Sequence, residues 1–267
     1  MGDSREILLG LIAYLLTLIP MVSKVVPATA LLLSLALPAA GLAKPKYGYT
    51  GAVAPEKWGQ LSPEYAACSK GTSQAPLNIV TAKTVKDSKS LPLKPIYIPG
   101  PAEVVNTGTG IQANLKGDLK IGPADYKLLQ FHFHAHGEEA INGVHYPLNA
   151  HLVHANSAGN LKVIGVNLKV GAPNAYLESF WNKLPAKKDG TVKVELASLA
   201  GLLPKSLAYF TYTGSLTTPP CTEGVQFFIL KEPVTISAKQ LDTFLKLYPT
   251  NARPVQPLNG RVIKSSN

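Results

Sequence analysis

After residue 50 the hydrophobic positions fall in short β-rich runs rather than in long helical stripes. Such runs occur at 95–99, 103–105, 111–115, 128–134, 149–154, 162–170, 208–212 and 225–230. Clusters of Gly, Pro and Asn separate them, as expected for strands joined by turns. Helical signals are few. Residues 174–183 offer Asn174 as a cap and place Tyr176, Leu177, Phe180 and Trp181 at helical spacing. Residues 237–247 open with Ser237 and carry Gln240 three positions on, the pattern of a capping box. Residues 196–203 read as a short helical turn. The pattern predicts one mainly β (α+β) domain with a few short surface helices.

The N-terminus follows a different pattern. Residues 7–22 and 25–43 are apolar, divided only by Ser23-Lys24. The second run has Lys24 ahead of it and ends in Gly41-Leu42-Ala43, whose small residues fit signal-peptidase cleavage after Ala43. A chain started at Met21 would carry a compact signal peptide, which makes residues 1–20 an over-extended start. The alternative is a membrane anchor, but the first run is shorter than the roughly 20 residues of a spanning helix. Both readings export residues 44–267, the single folded domain, to the periplasm or the medium. A thylakoid lumen, or a membrane-anchored position facing away from the cytoplasm, is the alternative destination.

Composition changes this picture little. The chain has 267 residues, of which 46% are hydrophobic, enough for a sizeable core. The formal net charge is +10. Asp3, Arg5, Glu6 and Lys24 cancel, so the whole excess sits on residues 44–267. It is mostly Lys, thinly spread, which reads as a basic soluble surface or an attraction for anions. Nucleic-acid binding would want clustered basic residues interleaved with aromatics, and no stretch has them. Cys68 and Cys221 alone do not establish a bridge, but an oxidising destination favours one. Closing so long a loop stabilises by roughly 5 kcal/mol, an upper-end value.

The candidate chemistry lies between residues 130 and 154. In LLQFHFHAH a strand sets Gln130, His132, His134 and His136 on one face and Phe131 and Phe133 on the other. In NAHLVHAN, Asn149, His151 and Val153 share a face, with Leu152 and His154 opposite. Antiparallel pairing of the two strands brings His151 beside His132 and His134. Three convergent imidazoles on a rigid sheet suit Zn2+ and leave a fourth position open, the mark of a catalytic site. His145 reads as a turn residue and His154 as a hydrogen-bonded core residue.

These residues, with WGQLSPEYAACSKG, QAPLNI, INGVHYPLNAHLVHA, VIGVNLKVG, FTYTGSLTTPPCTEG and RPVQPLNGR, resemble the alpha-class carbonic anhydrases, especially those exported by bacteria. The similarity runs from about residue 47 to 264. It implies a large, mostly antiparallel, twisted central sheet with zinc at the base of a cleft. It also implies reversible hydration of carbon dioxide to bicarbonate and a proton, through attack by a zinc-bound hydroxide. His132, His134 and His151 are then the zinc ligands. Thr217 accepts a hydrogen bond from the hydroxide and donates its own to Glu138. Val153, Val163, Leu216 and Val225 form the apolar wall, with Thr218 beside them. Gln130 supports His132, and Cys68 and Cys221 match the family's disulfide.

Four departures stand out. Thr109 occupies the usual position of the proton-shuttle histidine, and threonine does not titrate near neutral pH. His136 is a substitute if the strand persists that far. Asn149 replaces a glutamate that accepts from the third zinc histidine; its carbonyl oxygen can still accept that bond, but its neutrality predicts a weaker base at His151. Glu139 replaces a histidine, and its charge is expected to raise a neighbouring pKa. Ala75 and Ala135 stand where larger or polar residues are usual. These changes motivate the alternative of a zinc-binding relative with weak or no activity that serves binding, storage or docking. A second alternative, compatible with activity, is a subunit docked to a larger membrane complex with the basic surface or an N-terminal anchor as its tether.

Overall fold

The protein is described here by a computed structural model covering residues 46–267. The expected signal peptide or anchor, residues 1–43, lies outside the described residues. In chain order the strands are β1 (Asn78–Ile79), β2 (Val85–Lys86), β3 (Leu93–Tyr97), β4 (Gly100–Asn106), β5 (Ile111–Asn114), β6 (Gly117–Ile121), β7 (Ala124–His134) and β8 (Ala140–Ile141). They continue with β9 (Val144–His145), β10 (Leu148–Ala155), β11 (Leu161–Val170), β12 (Thr191–Leu196), β13 (Tyr209–Ser215), β14 (Glu223–Leu230), β15 (Val234–Ile236) and β16 (Lys264–Ser265).

Thirteen strands form one large sheet whose main path runs β12-β4-β5-β7-β10-β11-β14-β13-β16-β2. Most pairs are antiparallel, and β11 with β14, β11 with β15, and β16 with β2 are parallel. At the centre, β7 and β10 pair antiparallel with His132 opposite His151 and His134 opposite Asn149. The two histidine-bearing strands are therefore neighbours in the register that alternation requires.

The pleat divides the core in two. Phe131, Phe133 and Leu152 point away from the histidines into the larger cluster, against Tyr176, Phe180, Trp181 and Phe244. Full burial of one such ring stabilises by about 1.5–3 kcal/mol. Val153, Val163, Tyr212, Val225 and Phe227 form a second cluster on the histidine side. Packing on both faces leaves β7 and β10 little freedom to move, so side chains of two different strands keep fixed relative positions.

The sequence reading lacks several short or edge strands, β12 among them, and two further parts differ from it. The strand expected at 128–134 begins at Ala124 and pairs with β6, unpredicted, through a two-residue Gly122-Pro123 turn with Gly122 at positive φ. Outward Asp118, Lys120 and Lys127 mask the buried alternation of Leu119, Ile121, Tyr126 and Leu128. The helix expected over 174–183 is broken into an α-helix, Ala175–Glu178, and a 3₁₀ turn, Trp181–Lys183. Phe180 and Trp181 both bury their rings, and Phe180 leaves helical geometry between the two pieces.

Candidate metal centre

Ligand atoms of His132, His134 and His151 all lie within 4.8 Å of one another. Each ring is oriented by its other nitrogen. His132 Nδ1–H donates to Gln130 Oε1 at 2.8 Å, and His134 Nδ1–H donates to the Asn251 carbonyl at 2.9 Å. Both rings are thereby left with Nε2 free to bind. His134 Nε2 is buried without a hydrogen-bond partner, a costly state for a polar atom unless something else satisfies it. His151 is turned the other way: its Nε2 meets Glu139 Oε2 at 3.2 Å, leaving Nδ1 toward the other two rings. The donor set of three nitrogens fits zinc.

Burial, with the charge of His151, pushes the His132 pKa down to about 3. Burial and the two neighbouring histidines hold His134 well below the usual range. Both rings are neutral at neutral pH, as a metal ligand must be. His151 is pulled down by burial but raised overall by the charge and hydrogen bond of Glu139 and the charge of Glu138.

Glu138 and Glu139 are both fully buried. Glu138 Oε1 accepts from the Arg253 N–H at 2.9 Å, and Oε2 lies 3.7 Å from His151 Nδ1. Burial raises the Glu138 pKa to about 7, against the lowering effect of His151 and with a further rise from Glu139. The Thr217 hydroxyl is close enough to bias Glu138 toward its ionised form, although no tight hydrogen bond closes onto Oε2. Thr217 itself is buried, on the turn after β13.

Asn149 departs from its expected use. Its amide nitrogen, not its carbonyl oxygen, faces His151 Nε2, at 3.0 Å, and donates to Glu139 Oε2 at 2.9 Å. Its Oδ1 is buried without a partner. An asparagine oriented to serve Glu139 cannot also be the acceptor for His151.

A cavity of about 160 Å³ opens on this centre, lined by Gln130, His132, His134, Thr109, Thr218, Tyr47, Tyr49 and Asn251 among others. Thr109 Oγ1 lies 3.4 Å from Tyr47 Oη and 3.2 Å from Thr107 Oγ1. Val153, Val163 and Val225 are buried in the cluster on the histidine side, with half-buried Leu216 packed against it, rather than in the cavity lining. His136 does not extend the ligand face. β7 ends at His134, and His136 is exposed and absent from the cavity lining.

No local pattern in the sequence points to Asn251. Its carbonyl orients His134, its Oδ1 accepts from the Ala135 N–H at 2.7 Å, and its Nδ2 donates to the carbonyls of Phe133 and Thr109. One side chain thus clips a C-terminal loop to the end of β7. Cys68 and Cys221 form a disulfide packed with Trp58 and Tyr65. Among the described residues no helix is long and apolar enough to cross a membrane.

Comparison with known proteins agrees with this geometry. Residues 53–267 match the family model for eukaryotic-type carbonic anhydrase. A carbonic anhydrase of Pectobacterium carotovorum is 39% identical over 238 residues, 88% of this chain and 96% of that protein. A Klebsiella pneumoniae carbonic anhydrase is 43% identical over 223 residues, 81% of this chain and 89% of that protein. The alpha-carbonic anhydrase of Thermovibrio ammonificans, solved with the inhibitor sulfanilamide, superposes with a TM-score of 0.81 at 41% identity. It covers 83% of this chain and 100% of its own.

Proposed function

Because the chain belongs to the eukaryotic-type (alpha) carbonic anhydrase family, a family of zinc lyases that hydrate carbon dioxide reversibly to bicarbonate and a proton, we propose a part for each side chain at the centre. His132 and His134 would hold zinc through Nε2, and His151 would hold it through Nδ1. The observation that carries this assignment is the convergence of three imidazoles from paired strands, with His134 Nε2 buried and unpartnered. Zinc held by three protein ligands keeps one position open and, as a Lewis acid, makes water acidic enough to supply hydroxide.

The remaining work falls to the protein. Thr217 directs its O–H toward Glu138, so its lone pairs face the reacting oxygen and aim that oxygen at the carbon. Glu138 serves as acceptor because Arg253 N–H and the Thr217 hydroxyl favour its ionised form against burial. Thr218 lines the cavity, and Val153, Val163, Leu216 and Val225, packed on the histidine side behind it, give carbon dioxide an apolar backing. Bicarbonate forms by addition of the oxygen to carbon, and the proton released from water must leave the cleft. Thr109 cannot take it up near neutral pH, and exposed His136 does not reach the cavity. Export of the proton therefore falls to buffer or to water, and turnover is limited by it. Residues 1–43 direct the chain out of the cytoplasm, with cleavage after Ala43. The disulfide supports that reading, since such bonds persist in oxidising compartments.

Zinc content measured together with stopped-flow carbon dioxide hydration over a range of buffer concentrations tests these assignments. One zinc per chain and a rate that climbs with buffer concentration are expected. Stoichiometric zinc with hydration no faster than background would remove the roles given to Thr217 and Glu138. A fast rate independent of buffer would show that His136 or another group of the protein exports the proton.

A further inference from the structure

We propose that Glu139 is the carboxylate that orients the third metal ligand, and that Asn149 and Tyr212 act by holding Glu139 in place. Its side chain is fully buried and receives three donors. Tyr212 O–H donates to Oε1 at 3.1 Å, Asn149 Nδ2 donates to Oε2 at 2.9 Å, and His151 Nε2–H donates to the same Oε2 at 3.2 Å.

The chemistry of the donors fixes the direction of the last bond. A carboxylate only accepts, so a proton must sit on His151 Nε2. The lone pair then lies on Nδ1, the nitrogen turned toward His132 and His134. A histidine ligand whose other nitrogen donates to a carboxylate is both fixed in tautomer and made a better base. Asn149 sits two residues before His151 on the same face of β10, where it could contact the ring. Its amide nitrogen lies 3.0 Å from His151 Nε2 but is a donor and cannot accept that ring's proton; it donates to Glu139, which makes it a brace for the carboxylate. Tyr212 braces the other oxygen from β13, with its ring stacked on Phe227 at 5.0 Å. The carboxylate thus reaches His151 from the loop before β8 rather than from the ligand's own strand. The loss of the acceptor expected at His151 from Asn149 alone does not follow, because Glu139 supplies the missing carboxylate. This inference rests on the zinc assignment above.

Zinc affinity by chelator competition, together with ¹⁵N NMR of the histidine rings in metal-free protein, tests it. Glu139→Gln should weaken zinc binding roughly 10- to 100-fold and populate the other His151 tautomer. Tyr212→Phe should weaken binding less, since Asn149 still braces Glu139. The informative variant is the exchange Glu139→Gln with Asn149→Asp. Residue 149 already places a side-chain atom 3.0 Å from His151 Nε2, so an aspartate there can accept that proton while the new amide at position 139 donates to it. The exchange should restore affinity to within a few-fold of the parent and return the Nε2–H tautomer. A merely structural role for Glu139 would lose stability without changing tautomer and would gain nothing from the exchange. If Glu139→Gln does not fold, the exchange and Tyr212→Phe read the same two quantities. Parental affinity in Glu139→Gln overturns the proposal, as does a folded exchange variant that stays weak. Absence of zinc binding by the parent protein would instead overturn the ligand assignment.

Discussion

His151 and His154 lie three residues apart on β10 and have opposite fates because the strand alternates. His151 faces the other two imidazoles, whereas His154 is buried on the far side with Nε2 2.9 Å from Tyr97 Oη. Burial pushes the His154 pKa down to about 4 from the usual 6.5. Between those values the unfolded chain binds a proton that the folded chain refuses, so stability rises with pH across the window. The contribution is intact above pH 6.5 and is lost as the pH falls toward 4, at most about 3 kcal/mol. His154→Gln should flatten that slope in urea titrations at about pH 4.5 and 7, measured as the difference from the parent. Thr217 poses a separate question, since it is assigned to the reacting oxygen and not to the metal. Thr217→Val should slow carbon dioxide hydration by about 100-fold while zinc affinity stays within about two-fold of the parent.

At the scale of elements, the capping box starting the helix Ala238–Leu245 is legible in sequence and present in full. The structure adds that Gln240 has other work. Its Oε1 accepts from the Asn174 N–H, and its Nε2 donates to the Asn174 carbonyl and to Glu178. The same side chain therefore ties the helix Ala175–Glu178 to the C-terminal one, beside the large core cluster. Ser237→Ala should cost about 1 kcal/mol, the ordinary loss of a cap. Gln240→Ala should cost more, about 2–3 kcal/mol, because it strands the buried Asn174 N–H as well. Chemical denaturation of the two variants measures the difference, and equal losses would show that the tie to Asn174 is not felt.

Across the whole molecule, the disulfide joins residues 153 apart, and its Cys221 closes the turn that carries Leu216, Thr217 and Thr218. The Cys221 N–H donates to the Thr218 carbonyl, so the bridge and the turn are mechanically continuous. Replacing both cysteines by alanine should lower stability by roughly 2–5 kcal/mol. It should also reduce hydration more than zinc affinity, because the three ligands sit on β7 and β10 and not on that turn. Unchanged hydration in the alanine pair would show that the turn is held without the bridge. Arg253 supports the same region: its guanidinium donates to Gln74 and to the carbonyls of Ala75 and Cys68, and its N–H donates to Glu138.

The placement of His132, His134 and His151 was legible in the sequence because a strand's period of two is a local property. Once LQFHFH and NAHLVHA are read as strands, the side chains that share a face follow without knowledge of the rest of the fold. The same logic separated His154 from the site and identified the Ser237 cap. Nothing local speaks for Glu139, Asn251 or the limits of His136. Glu139 sits on an irregular segment, where no periodicity sets its direction, and its approach to His151 depends on Tyr212 and Asn149 arriving from other strands. Asn251 meets His134 only because the chain returns to the end of β7 after more than a hundred residues. His136 is lost to the site because β7 stops two residues short of it. Local backbone geometry therefore fixed the metal ligands, and only closure of the whole chain decided which carboxylate stands behind them.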